Sequence, residues 1–487
     1  MPSLVDLPIS IDREAPLKLH RQLFDQIRGL IMKGILHPGA KLPPSRNLGQ
    51  QLSLSRSSVN LALDQLVAEG YLSSKQGSGF FVTADFLVAK PLATEKTATR
   101  SHKFSKLTEE INNQRRFWPS QRTAFSPGIP DLENFPFNTW SRLVAQANRR
   151  RNLTSFSNAD SQGTPELREA IAEHLVSARG VRCLPQQVMI LSGAQQALRL
   201  IAQLFANGGD SIAIENPAYP GARAAFLAQG LDISSVTVDQ EGLRVSELEQ
   251  LDKAIRFVCV TPTHQFPLGV TLSLQRRMEL LSWARAKDAW IVEDDYDSDF
   301  RFKGPSLTAL QGLDEDDRVI YVGSFSKTLF PGLRLAYLVA PEELIEPLTQ
   351  MRRALDGSPS TVAQSALADF ISDGHFARHL RKMKNLYGIR QDYFTEQFGN
   401  RLEDHFEVLP SDTGMHLATS LSRKAAERWS DVELAVKLNE LGVSTPALST
   451  LYEKPNEIVE GLLFGFAAAK EREMDRALDK IETLFKE

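Results

Sequence analysis

From about residue 123 onward, short apolar runs without polar alternation recur between helix-like stretches. VMILSG precedes AQQALRLIAQLF, DSIAIENP precedes GARAAFLAQG, IRFVCVTP precedes LQRRMELLSWARA, and WIVEDDY and RVIYVGSFS follow. A strand that is apolar on both sides needs cover on both sides, which a mainly parallel sheet with helices on both faces supplies. This texture makes the body of the chain α/β. Roughly the last hundred residues, with HFEVLPSDTGMHLATSL and VELAVKLNELGVST, read as a smaller α+β part. No period of about 20–50 residues repeats, which argues against a solenoid or propeller.

The first quarter follows a different pattern. In PLKLHRQLFDQIRGLIMKGIL, Leu19, Leu23, Ile27, Leu30 and Ile31 keep helical spacing, and Gly34 lies where a helix would stop. Pro43 and Pro44 favour a turn and a helix start, and a short helix over residues 45–52 places Leu48 and Leu52 on one face. SLSRSSVNLALDQLVAEGYL opens with a cap at Ser55, carries Val59, Ala62, Leu63, Leu66 and Val67 on one stripe, and ends at Gly70. YLSSKQGSGFFV is two strand-like runs about a Gly-containing turn, a hairpin. Residues 84–122 are polar and Thr/Lys-rich and too long for a connection inside one compact domain. The expected organisation is a small domain over 1–83, a linker over 84–122 and a large domain over 123–487.

Charge divides along the same line. The whole chain carries 56 Lys+Arg against 60 Asp+Glu, a net −4. Residues 1–122 hold 17 Lys+Arg against 10 Asp+Glu, which is +7, and residues 123–487 hold 39 against 50, which is −11. A basic front on an acidic body points to a polyanionic partner for the front alone. The 42 % hydrophobic content excludes a wholly disordered chain. Two cysteines, Cys183 and Cys259, make no disulfide framework and suit a reducing compartment. The opening MPSLVDLPISIDREAPLKLH lacks the basic-then-apolar order of a secretory leader, and no run of about 18 apolar residues occurs. A cytoplasmic protein with no membrane partner is therefore expected.

The third helix of the front offers Ser55, Arg56, Ser57, Ser58 and Asn60 in its first turns, small donors with one Arg among them. A recognition helix uses its first turns in this way on double-stranded DNA. Arg46 and Lys75 add charge suited to phosphates. A purely structural helix pair is the competing reading. The residues Gln26-Ile27-Arg28, Gly34-Ile35-Leu36, Pro38-Gly39, Leu42-Pro43-Pro44-Ser45-Arg46, Leu54-Ser55-Arg56, Glu69-Gly70-Tyr71-Leu72 and Gly77-Ser78-Gly79 decide between them. Together they resemble the winged helix-turn-helix of GntR-type bacterial regulators over nearly all of 16–83. The resemblance implies that Arg46, Ser55, Arg56, Ser57, Ser58 and the wing at Gly77 face DNA.

In the body, RVIYVGSFSKTLFPGLRLAYL sets a lone Lys327 after a buried strand. A lysine there is ordinarily a surface residue. Ser324 and Arg334, three before and seven after, could bind a phosphate, while Lys327 forms a Schiff base with an aldehyde cofactor. Upstream, WIVEDDYDSDF puts three carboxylates at a strand end. Such a cluster could hold Mg²⁺, but no GxxxxGK[ST] loop accompanies it. The alternative is a carboxylate paired with a protonated pyridine nitrogen. Asp294 is the first choice and Asp295 the second, because strand alternation sends only one of them to the cofactor. Tyr296 could then hydrogen-bond the ring hydroxyl. The turn before AQQALRLIAQLF presents the amides near Ala194 and Gln195 at a helix start, a phosphate site, and Tyr219 in ENPAYPGAR could stack on the ring.

FSPGIPD, GTPELREAIAEHL, SGAQQAL, ENPAY, TPTHQFPLG, EDDYDSDF and SFSKTLFPGLRLAY stand in the order found in fold-type I aminotransferases and span most of the body. With its GntR-type head, the chain resembles MocR-type transcriptional regulators. The resemblance implies pyridoxal 5'-phosphate as cofactor and a homodimer in which each head docks on the partner's body. TPTHQFPLG replaces the enzymes' Asn-Pro-Thr-Gly, leaving the ring-contacting Asn without a clear counterpart among His264, Gln265 and Phe266. Leu463 or Leu462 stands where aminotransferases place the Arg that clamps the substrate carboxylate, and no Arg lies between Trp429 and Glu471. The tyrosine that reaches the neighbouring subunit's phosphate corresponds most nearly to Phe156. A regulator sensing an amine-type effector, or the cofactor itself, is expected ahead of a working aminotransferase or a body that binds no cofactor.

Overall fold

Two compact units make up the chain, Met1–Lys103 and Phe104–Glu487. The structure, a computed structural model, describes residues 7–75, 77–83, 108–109, 123–149 and 160–486. Phe156 and nearly all of the expected linker lie outside the described residues.

In the first unit, α1 (Leu19–Met32), α2 (Ser45–Gln51) and α3 (Arg56–Ala68) precede a hairpin of β1 (Leu72–Lys75) and β2 (Gly79–Val82). α1 buries Leu23, Phe24, Ile27, Leu30 and Ile31 against Val59, Ala62, Leu63 and Leu66 of α3. Val67 and Leu19, read as stripe residues, are only partly buried, because the stripe is narrower than the spacing suggested. Ser55 caps α3 by accepting from the Ser58 amide at 3.2 Å, and Gly70 adopts φ +78° just beyond the end of α3. The hairpin is antiparallel, with Leu72 opposite Val82 and Lys75 opposite Gly79.

The second unit is built on β3 (Val188–Leu191), β4 (Ser211–Asn216), β5 (Asp232–Asp239), β6 (Gly242–Leu243), β7 (Ile255–Val260), β8 (Trp290–Asp295), β9 (Val319–Ser324) and β10 (Ala336–Val339). They form one sheet in the order β3-β10-β9-β8-β7-β4-β5-β6. The five strands from β9 to β5 are parallel, while β10 runs against β3 and β9 and β6 against β5. Every residue of β3, β4 and β10 is buried, which is what the unalternating apolar runs require. One apolar cluster packs the helices Ala194–Phe205 and Pro220–Leu227 on the sheet, and another packs Leu274–Lys287. A three-stranded antiparallel sheet of β11 (Phe406–Val408), β12 (His416–Leu421) and β13 (Leu463–Gly465) forms the smaller part. It is packed by His375–Leu402 and Glu471–Lys486 around Phe394, Phe398 and Phe464.

Candidate functional site

In the first unit the residues read as DNA-facing are at the surface. Arg46 lies in the first turn of α2, and Arg56 and Ser57 in the first turn of α3; all three are exposed. Ser55 Oγ lies 2.9 Å from the hydroxyls of both Ser57 and Ser58, so three small hydroxyls cluster at the start of α3. Gly49 lets α2 approach the turn closely, since a Cβ there would stand 3.1 Å from the Leu54 carbonyl oxygen. On the wing, exposed Lys75 lies 5.3 Å from the Phe81 ring centre and Lys41 lies 5.7 Å from it. Lys41 was not anticipated; its bridge to Phe81 across the chain brings it to the hairpin. Gly77 at the tip takes φ +76°, which favours glycine.

In the second unit the parallel strands deliver their following loops to one edge of the sheet, where open α/β folds bind ligands. One cavity there is lined by Gly193, Ala194, Gln195, Tyr219, Asp294, Tyr296, Ser324, Lys327 and Arg334. Every body residue read from sequence as cofactor-binding is in that set. Pro127, Gly128, Thr261, Phe266, Ser326 and His416 complete it and were not read as site residues. Several of these lie in segments whose order carried the family resemblance, but His416 comes from the small sheet, and nothing in its local sequence signals that approach.

β9 ends at Ser324, whose hydroxyl accepts from the Ser326 amide at 3.1 Å and so caps the short helix Phe325–Thr328. This turn aims Lys327 into the cavity, where Nζ donates to the Gly128 carbonyl at 2.7 Å. Gly128 has φ +69°, and a Cβ there would overlap Nζ. Burial pulls the Lys327 ammonium below its ordinary pKa, against the raising effect of Asp297 and Asp294. Arg334 follows in the left-handed region at φ +55°. Its guanidinium lies at van der Waals distance from Gly193, where a Cβ would stand 3.4 Å from both terminal nitrogens. The Arg334, Ser324 and Ser326 side chains and the start of the helix at Ala194 line the same cavity, and all are hydrogen-bond donors of the kind that suit an anion.

The three carboxylates of IVEDD serve three different partners. Glu293 accepts from the Leu310 and Gln311 amides, each at 2.8 Å. Asp295 pairs with Arg179 at 2.9 Å. Asp294 alone opens on the cavity, where burial and then the Asp295 and Asp297 charges push its carboxyl up to about 7. The arrangement gives no shared metal site to these three groups. Nearby, His264, Asp297 and His416 bring ligand-type atoms within 4.8 Å of one another. His264 Nδ1 lies 2.9 Å from Asp297 Oδ1 and from the Tyr296 hydroxyl, and His416 Nε2 lies 3.3 Å from the Pro267 carbonyl. Those bonds join His264, Asp297 and Tyr296 in one hydrogen-bond network, while His416 bonds separately to the backbone and meets His264 only ring to ring at 5.0 Å.

Of the three residues without a clear counterpart, Phe266 lines the cavity and meets Tyr219 edge to face at 5.6 Å. Gln265 turns away to the Pro217 carbonyl at 2.8 Å and to Glu215. Leu463 is fully buried among Ala418, Leu448 and Leu451, and Leu462 is fully buried in the cluster of Phe394 and Phe464, so both residues read at the carboxylate-clamp position pack in apolar clusters.

A winged-helix head and an aminotransferase-fold body, with a buried lysine pointing into a polar cavity, define a DNA-binding protein built on an enzyme scaffold. The model for bacterial regulatory proteins of the gntR family matches residues 19–82, and that for aminotransferase class I and II matches residues 125–481. The probable rhizopine catabolism regulatory protein MocR of Rhizobium meliloti is 36 % identical, over 98 % of this chain and 95 % of that protein. The pyridoxine biosynthesis regulator PdxR of Corynebacterium glutamicum is 32 % identical, over 96 % of each. Among solved structures, the α-aminoadipate aminotransferase LysN of Thermus thermophilus, complexed with N-(5'-phosphopyridoxyl)-L-leucine, superposes with a TM-score of 0.70. It is 25 % identical, over 79 % of this chain and 97 % of that one. The chain belongs to the GntR-family transcriptional regulators that carry an aminotransferase class I and II body, the MocR type. Among the described residues, no helix is long and apolar enough to cross a membrane.

Proposed function

We propose that this regulator binds pyridoxal phosphate in the body cavity and takes a small amine, or the cofactor itself, as its signal. The observation that carries the reading is the convergence of Lys327, Asp294, Tyr296, Ser324 and Arg334 on one cavity from two separate segments, the end of β8 and the stretch from the end of β9 to Arg334. When bound, the cofactor supplies an aldehyde carbon and an electron-withdrawing ring. Lys327, with its basicity lowered by burial, presents the amine that joins the aldehyde. Arg334, Ser324, Ser326 and the amides at Ala194 and Gln195 hold the phosphate. Asp294, whose carboxyl burial and the Asp295 and Asp297 charges raise to about 7 against the lowering effect of Lys327, would pair with the ring nitrogen and hold a proton there. Tyr219 and Tyr296 border the ring.

A resident amine at Lys327 gives an amine effector a way in by exchange, and exchange at that atom is the event that would change DNA affinity. PdxR, named for pyridoxine biosynthesis, supports the cofactor as an alternative signal. The apolar surroundings of Leu463 disfavour an α-amino acid, whose carboxylate would forgo a charge-assisted pair of roughly 1.5–3 kcal/mol. In the head, Arg46, Arg56 and Lys75 with the serines at the start of α3 contact DNA in the cytoplasm. Two heads in a homodimer would read paired half-sites.

Fluorescence anisotropy of the full chain on DNA from upstream of its own gene tests this reading, with pyridoxal phosphate present and a panel of small amines titrated in. At least one amine, or the cofactor alone, is expected to change the affinity of the wild type and not that of Lys327→Ala. Equal responses from both proteins would overturn the sensing role.

A further inference from the structure

Behind the cavity wall, three side chains meet at a single nitrogen. His264 Nδ1 lies 2.9 and 3.1 Å from the two oxygens of Asp297 and 2.9 Å from the Tyr296 hydroxyl. His264 and Asp297 are each 2 % exposed. Gly414 takes φ +94°, and a Cβ there would overlap the imidazole, so the backbone is shaped around the ring. His264 Nε2 is buried and has no hydrogen-bond partner among the described residues, so the ring's polar contacts all run through Nδ1.

We infer that Asp297 and His264 are positioning residues that fix the direction of the Tyr296 proton, making the phenol a hydrogen-bond donor into the cavity. A carboxylate only accepts, so Asp297 requires the proton of the ring to sit on Nδ1. That N–H is then shared between Asp297 and the Tyr296 oxygen. The phenol oxygen, already accepting, cannot donate back to Nδ1 and keeps its own hydrogen for the cavity. With pyridoxal phosphate bound as proposed, a reading on which this inference rests, the acceptor would be a ring oxygen that carries negative charge. Tyr296 has a proton to give, because burial, Asp297 and Asp294 hold it well above the ordinary tyrosine pKa. The other groups facing this chain are His416, with ring centres 5.0 Å apart from His264, and Glu215, Asp295 and Lys327 across the wall. Burial and the neighbouring His264 hold His416 well below its ordinary pKa, so it adds no charge near neutrality.

The test is a pH titration of the visible band of full-length protein loaded with pyridoxal phosphate. Tyr296→Phe should raise the midpoint by about one unit, a roughly tenfold rise in proton affinity, because the donor to the charged oxygen is gone. His264→Phe should raise it in the same sense, and the double variant should rise no further than Tyr296→Phe alone. His264→Asn, whose amide nitrogen offers a donor near the Nδ1 position, should keep the wild-type midpoint. If His264→Phe does not fold, Asp297→Asn carries the test. An amide does not require the ring proton on Nδ1, so an unprotonated Nδ1 can accept from the Tyr296 hydroxyl, and the midpoint should again rise. A wild-type midpoint in His264→Phe or Asp297→Asn while Tyr296→Phe moves, or full additivity in the double variant, would overturn the inference. A wild type that shows no visible band overturns the cofactor reading as well, which separates the two failures.

Discussion

Asp294 and Asp295 are consecutive residues of β8 that face opposite sides of the sheet. Asp295 accepts from Arg179 Nε at 3.0 Å and from the Tyr321 hydroxyl at 2.5 Å, while Asp294 borders the cavity. The same chemical group therefore serves packing at one position and a ligand site at the next. Asp295→Asn leaves Arg179, 3 % exposed, without its charge partner, and breaking such a buried pair costs roughly 3–5 kcal/mol. Asp294→Asn removes no ion pair, and should leave the melting temperature of the cofactor-free protein unchanged or higher near pH 8. Thermal melts of both variants beside the wild type check this contrast.

The pH dependence of the cofactor-free protein follows from the same carboxyl. Burial raises Asp294 from 3.8 to about 7, and raises Glu215 and Glu293 from 4.5 to about 7. A folded-state pKa above the unfolded value means that the stabilising contribution is complete below about pH 4. It is lost as pH rises through about 7. Unloaded wild type should thus melt lower at pH 8 than at pH 5.5 as far as these groups decide it. Asp294→Asn should lose part of that difference, by on the order of 1.4 kcal/mol for each unit of displacement removed. Urea midpoints at the two pH values measure it; an identical pH slope in wild type and variant would contradict the assignment.

In the head, capping and recognition are separable at adjacent residues. Ser55→Ala removes the acceptor of the Ser58 amide and should cost about 1 kcal/mol of stability in the first unit. Arg56→Ala touches no buried group and should leave stability within about 0.5 kcal/mol while weakening DNA binding and lowering its salt dependence. Gel shifts at two salt concentrations check the second effect. Unchanged DNA affinity in Arg56→Ala would move the recognition surface elsewhere.

Leu463→Arg does not restore a carboxylate clamp. The side chain is enclosed by Ala418, Leu448 and Leu451, so an arginine there places an unpaired charge in an apolar cluster and should destabilise the body by several kcal/mol. Soluble yield and melting temperature report this directly, and a stable variant that newly binds α-amino acids would contradict it.

Much of this was legible in the sequence because the residues concerned sit in local patterns. The unalternating runs fixed β3, β4, β7, β8 and β9, the end of β8 carried Asp294, and the segments after the strand ends carried Lys327, Tyr296 and Tyr219. Strand alternation alone favoured one of the two aspartates but could not say which side of the sheet faced the cavity. β5, DISSVTVD, escaped notice because its sheet position near the edge tolerates polar residues, and four-residue β10 is too short to stand out. Gly128, His264 and His416 converge on the site from distant parts of the chain, and spacing within one segment holds no trace of such contacts. Lys41 reached the wing in the same way, through a bridge to Phe81.

The most direct test of the account is the absorption spectrum of the purified full chain reconstituted with pyridoxal phosphate, read beside Lys327→Ala. The wild type should hold a visible band after exhaustive dialysis, and Lys327→Ala should lose it. A wild type that stays colourless, or a Lys327→Ala protein with an identical band, would contradict the assignment of Lys327 and of the cavity around it.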